Sequence, residues 1–210
     1  MPKKWAALDQ EIEALRRTLL PNPFNPIGVY KHQARVQTET RAFLVLSHAE
    51  SETFLEDWAK DIARAAEIVW SRQQRVTTPL AFLIANVADR VKETNSLAAG
   101  SAKDSQQRFA DIVSEIFPAY YKRIKDNNGV KERNVLRLFD PIGVAGSAFG
   151  STLLPALNSF GSARGEHAHY SRKAVTSVLD PLSEYNRVRS ILTELKSLDQ
   201  WLSKYRRRVR

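Results

Sequence analysis

The chain has no cysteine among its 210 residues. Disulfides are excluded, and so are metal sites built on thiolates. That suits a reducing compartment, and a cytoplasmic location is the expectation. Long apolar runs are missing too. The longest, Ala42 to Leu46 and Leu80 to Ala85, fall far short of the roughly 20 residues that span a bilayer, so no membrane association is expected. Residues 1–14 are amphipathic and carry acids, and do not read as a signal peptide. No segment shows the alternation of a strand, and no repeat of fixed period is present. Acids are scarce in the last quarter. Residues 161–210 hold 11 Lys+Arg against 5 Asp+Glu, whereas residues 1–160 hold 21 against 18.

What remains has the composition of an ordinary globular domain, 43% hydrophobic and 26% charged, with enough length to bury a core without staples. The net charge is +9, and Lys204, Arg206, Arg207, Arg208 and Arg210 close the chain without an acid among them. A basic tail at 204–210 is therefore a candidate nucleic-acid contact. A solubilising frayed end is the alternative.

Apolar residues recur at three- and four-residue steps almost throughout. Trp5, Leu8, Ile12, Leu15 and Leu19 predict a first helix, ended by Pro21, Pro23 and Pro26. A connector reaches about residue 30. Phe43, Ser47, Phe54, Trp58, Ile62, Ala65 and Val69 share one face of a long second helix, starting between residues 33 and 40 and ending near 74. Thr78 as N-cap and Pro79 at the first helical position open a third. Phe109 to Ile124 form a fourth, capped by Asp104 or Ser105 and stopped at Asn127-Asn128-Gly129. A short piece around Val135 to Phe139, a Gly-rich connector at 141–151, and a helix led by Leu153, Leu154, Leu157 and Phe160 follow. Asp180-Pro181 opens the last helix, with Tyr185, Val188, Ile191, Leu192, Leu195, Leu198 and Leu202 as its stripe. The expected fold is all-α, an up-and-down helical bundle over residues 31–203 with an additional N-terminal helix and connector at 1–30.

The densest chemistry lies in Arg164-Gly165-Glu166-His167-Ala168-His169, which holds two of the four histidines. Three roles compete. Glu166, His167 and His169 offer metal ligands, but positions i and i+2 of a helix diverge by about 200°, and no second acid–histidine cluster completes a shell. Alternatively, a neutral histidine takes the proton of an RNA 2′-hydroxyl while an arginine clamps the phosphate oxygens. Arg164 and His169 are the right residue types. On one continuous helix they would stand about 140° apart, so this role needs a helix end or bend at Gly165, or two chains meeting across a two-fold axis. Third, both residues serve structure only. Beside them, His48 and Glu50 are candidates to orient Arg164 from the long helix, with Glu52 read as part of an exposed face. Tyr170 and Ser171 could contact ribose or phosphate, or form a turn.

The Arg164-to-His169 spacing resembles the Arg-x4–6-His motif of the HEPN superfamily. Arg41 to Glu50 followed by Phe54-Leu55 resembles the long helix that opens those domains. Phe160-Gly161, Arg164-Gly165, Ala168-His169, Asp180-Pro181 and Leu195 to Leu202 resemble the ending of its RiboL-PSP and MAE_28990-like branches. The resemblance covers about residues 35–203. It implies a four-to-five-helix bundle that dimerises so that two motifs meet in one cleft. It also implies metal-independent RNA cleavage without a cofactor, as a toxin or anti-phage effector, with a cognate antitoxin or larger defence protein as partner. Arg164 would be the phosphate clamp and His169 the general acid or base. Gly165 stands where many members carry a polar residue, which leaves Glu166 or His167 to supply a third polar group. Some members are non-catalytic interaction modules, and that role is the alternative for this chain.

Overall fold

The structure is a computed structural model that describes the backbone of residues 4–91, 102–169 and 178–209, and the side chains of 4–86, 106–162 and 178–209. Among the described residues there are seven α-helices and no strand: α1 Lys4–Leu19, α2 Gln33–Gln73, α3 Thr78–Val91, α4 Ala102–Lys125, α5 Glu132–Phe139, α6 Leu153–His169 and α7 Pro181–Arg208. Two short 3-10 turns, Asp140–Ile142 and Gly146–Phe149, lie in the Gly-rich connector. The fold is an all-α helical bundle. No helix among the described residues is long and apolar enough to cross a membrane.

Two compact units make up the chain. The first comprises Met1–Leu55, Asn128–Val135 and Ser147–Trp201, and the second Glu56–Asn127, Leu136–Gly146 and Leu202–Arg210. Helices α2 and α7 each supply residues to both.

In the first unit, the apolar stripes read from sequence are the core. Ile12, Phe43, Leu44, Leu55, Leu153, Leu157, Phe160, Leu192 and Leu195 are all at most 2% exposed. Helix α1 is fastened to α7 by more than this stripe. The Trp5 indole donates to the Leu192 carbonyl at 2.7 Å, and the Trp5 amide to the buried Asp199 carboxylate at 3.3 Å. The Lys196 ammonium stands 4.5 Å from the Trp5 ring centroid. One turn further along, Arg189 pairs with Asp9 and Glu13, and Tyr185 donates to Glu13 at 2.7 Å. The connector between α1 and α2 contains a cis Asn22–Pro23 bond. It is folded around Asn25, whose carboxamide oxygen accepts from Ile27 N–H while its nitrogen donates to the Val29 carbonyl.

Helix α7 starts where the Asp-Pro signal places it. Asp180 Oδ2 accepts from both the backbone N–H and the hydroxyl of Ser183, at 2.9 and 2.6 Å. An N-cap of this kind satisfies an amide with no helical partner. Just before it, the half-buried Leu179 is held by a two-way amide pair: its carbonyl accepts from Gln37 Nε2 and its N–H donates to Gln37 Oε1. The hydrogen bonds from Ser183 keep the Asp180 carboxyl below its ordinary pKa. Replacing Asp180 with Ala should cost about 1 kcal/mol, while Asp180→Asn should cost far less. A depressed carboxyl stabilises the fold above its unfolded value of about 3.9 and stops doing so as pH falls through the lower folded value. The gap in urea midpoint between wild type and Asp180→Ala should therefore be full at neutral pH and shrink below about pH 4.

In the second unit, Ile62, Ala66, Leu80, Ile116, Leu138, Phe139 and Ile142 are at most 2% exposed. Helix α3 packs against α4 and the 140–142 turn. Its capping position is one residue earlier than expected. Ala81 N–H bonds the Thr77 carbonyl at 2.9 Å, whereas the Thr77 hydroxyl is buried without a hydrogen bond among the described residues. Helix α4 likewise begins at Ala102, ahead of the expected cap, and runs through Pro118. Two tyrosines tie down α5 and the turn after it: the buried Tyr120 donates to the Leu138 carbonyl at 2.5 Å and the half-buried Tyr205 to the Ile142 carbonyl at 2.8 Å. Burial pushes the Tyr205 hydroxyl up to about 12. Gly143 has a φ of +77°, and a Cβ there would lie 2.7 Å from Phe82 and 3.0 Å from the Tyr205 oxygen. Both the backbone conformation and the space demand glycine at that turn. Residues 204–208, expected as a tail, are the last turns of α7. Leu202 and Val209 are buried beside them and Tyr205 is tied down, so the helix is held to its end.

Candidate functional site: the His48 niche and the end of helix α6

All components of this site belong to the first unit. Helix α6 buries Leu153, Leu154, Leu157, Phe160 and Gly161, a stripe at helical spacing. The absence of a side chain at Gly161 matters. A Cβ there would stand 2.8 Å from Lys131 Cγ, 3.5 Å from the Lys131 amide nitrogen and 3.7 Å from His48 Nε2. Gly161 thus lets α6 pass close to the chain at 129–131 and to α2.

His48 fills the niche this approach creates. It is 2% exposed. Its ring centre lies 5.5 Å from that of Phe160, and Nδ1 lies 3.9 Å from a Glu52 oxygen one turn along α2. The other Glu52 oxygen accepts from the Gly129 N–H. Gly129 adopts a φ of +111°, and its missing Cβ would be 3.7 Å from the His48 ring. The two glycines therefore form walls on the imidazole, and Glu52 joins the histidine to the turn that ends α4. This differs from the expectation that Glu52 belongs to an exposed helix face. His48 is interior, and Glu52 is a structural acceptor. Glu50 is half-buried and, among the described residues, makes no hydrogen bond or ion pair.

Beyond Ser162 the backbone of α6 continues as helix through Arg164, Gly165, Glu166 and His167 to His169. A helix end at Gly165, one of the two arrangements that would let Arg164 and His169 serve one phosphate, does not occur. A glycine within a helix costs only about 1 kcal/mol relative to alanine, too little to end a helix by itself. Positions 164 and 169 are therefore separated by about 140° and about 7.5 Å along the axis. The side chains of 163–169 lie outside the described residues, as do Tyr170, Ser171 and Arg210. Among the described residues no group of three His, Asp or Glu side chains could hold a metal ion. Lys204, Arg206, Arg207 and Arg208 are exposed on α7, in the second unit.

No protein-family model matches the chain, and neither a curated protein nor a solved structure matches it.

Proposed function

We propose that this protein is a metal-independent endoribonuclease of the HEPN type, acting as a homodimer in which an Arg164 and a His169 from different chains share one site. The motif on the final turns of α6 carries the reading. Arginine and histidine are the two residue types that 2′-hydroxyl attack on a phosphodiester requires. The order around them supports it: a long α2, then α6 ending in the motif, then a long α7 opened by Asp180-Pro181. Arg164 holds the non-bridging oxygens, and His169 moves the proton. The role expected is that of a toxin or anti-phage effector in the cytoplasm, with an antitoxin or larger defence protein as partner. Gly165 directly after the arginine, where a polar residue would help complete the site, favours a second reading. On that reading the chain is a non-catalytic module that binds nucleic acid or another protein.

RNA incubated with the protein in EDTA decides between them. Cleavage should persist, leave 2′,3′-cyclic phosphate or 3′-phosphate ends, and fall by about 10²–10⁴ in His169→Ala. Inertness of both proteins at high concentration, or loss of cleavage with chelator, would sink the nuclease reading.

A further inference from the structure

The second unit carries a cleft that the motif does not explain. Its volume is about 230 Å³. Leu83, Ile116 and Pro141 give it an apolar floor, and Lys122, Arg123 and Arg137 stand on its rim. These cations come from two helices. Lys122 and Arg123 are on the last turn of α4 and Arg137 on that of α5. Lys122 is paired with Asp126 at 2.5 Å. Arg123 and Arg137, by contrast, have no carboxylate within ion-pair distance among the described residues. The one acid on the rim does not offset them. Asp126 is held below its ordinary pKa by its bond to Lys122, with Lys125 and Arg137 adding to the positive field around it.

Cations at a helix C-terminus complement its dipole, and Lys122, Arg123, Lys125 and Arg137 all stand in such last turns. The dipole accounts for their positions along each helix, but not for Arg123 and Arg137 of different helices lining one cleft with an apolar floor. The neighbourhood is positive as well. Tyr205 ties the end of α7 to Ile142, adjacent in sequence to the cleft-lining Pro141, and that end carries Lys204, Arg206, Arg207 and Arg208, all exposed. The second unit holds 17 Lys+Arg against 11 Asp+Glu.

From these observations we infer that the cleft is a binding site for single-stranded RNA, Arg123 and Arg137 gripping backbone phosphate while an unstacked base lies on the apolar floor. Self-contained small ligands occupy pockets of about 300–1,000 Å³. This cleft is smaller and suits one fragment of a longer polymer. An apolar floor favours a single strand, whose bases can splay out, over a duplex that offers mainly phosphates. The choice of RNA rests on the nuclease reading; the site itself is separate from Arg164 and His169.

The test is fluorescence anisotropy with a short labelled RNA of mixed sequence, using the full chain with His169→Ala so that the probe survives. Arg123→Ala/Arg137→Ala should weaken binding at least tenfold, and the slope of log affinity against log salt should flatten by about 1.4, since each single-strand phosphate contact contributes about 0.7. Arg123→Lys/Arg137→Lys should restore most of the slope. Arg72→Ala/Arg75→Ala, an equal loss of formal charge in the same unit, should change affinity less than about threefold on the same basis. Undiminished binding in the cleft variant, an equal loss in the Arg72/Arg75 control, or absence of RNA binding by the parent chain would overturn the inference. Duplex DNA bound equally well and lost equally would overturn it too. The outcomes separate from those of the nuclease reading. A chain that binds RNA through the cleft yet never cleaves it leaves this site standing, whereas a chain that cleaves with the cleft variant's binding intact removes only this site.

Discussion

Co-expressed Arg164→Ala and His169→Ala chains should cleave RNA although neither does so alone. The expectation follows from the continuity of α6. Positions 164 and 169 of one chain are five residues apart on an unbroken helix, about 140° around it. One phosphate is poorly served by two groups so disposed. A two-fold axis near the helix end removes the difficulty, because Arg164 of one copy can then work with His169 of the other. Loss of the proton-transfer group should lower the rate about 10²–10⁴-fold, and loss of the charge-stabilising arginine about 10²–10³-fold. In a mixed dimer one of the two sites keeps both groups and the other keeps neither. Random pairing makes half of the dimers mixed, so activity should return to about a quarter of wild type. The measurement is initial rate on labelled RNA, with the mixed species isolated through two different affinity tags. A purified mixed dimer as inert as its parents would rule out the shared site. It would leave either cleavage within one chain, if wild type cleaves in EDTA, or the non-catalytic module, if it does not.

The helices were legible because their signals are local. Trp5 to Leu19 show their face at three- and four-residue spacing, and Pro21 forbids continuation. Asp180 captures an amide three residues on, a bond that needs nothing beyond its own turn. What could not be read depends on residues far apart in sequence. The walls of the His48 niche are Gly129, Phe160 and Gly161, some 80 to 113 positions away. A histidine on a helix edge and a histidine in a closed niche look alike until those residues arrive. Glu52 looks solvent-facing along the helix for the same reason, since its partner is the Gly129 amide. The cationic cleft joins α4 to α5 and was invisible to a reading that counted charge along the chain. The end of α7 shows a different failure. Five cations without an acid look like a solvated tail, but buried Leu202 and Val209 and the Tyr205 bond decide the conformation there. Gly165 shows the reverse, because a local preference of about 1 kcal/mol permits a helix end there without requiring one, and α6 continues.

Phe160→Ala should be among the most destabilising single changes in the first unit. Phe160 is 1% exposed and joins three elements. Its ring lies against His48 of α2. On another side the Arg187 guanidinium of α7 stands 5.9 Å from its centroid, and Arg187 also donates to the neighbouring Ser159 hydroxyl at 2.9 Å. Truncating a buried phenylalanine costs about 3–5 kcal/mol, a large part of the roughly 5–15 kcal/mol that holds a domain together. The urea midpoint should fall accordingly with little change in slope, and Phe160→Leu, which keeps apolar volume, should lose much less. The consequence reaches the motif because Phe160 lies one helical turn before Arg164. If α6 must be seated to present its last turns, cleavage should disappear in Phe160→Ala in proportion to the unfolded fraction and return in Phe160→Leu. His169→Ala should do the opposite and lose cleavage while keeping the wild-type midpoint. Stability and activity falling together in His169→Ala would instead make the histidine a part of the fold and remove it from the proposed chemistry.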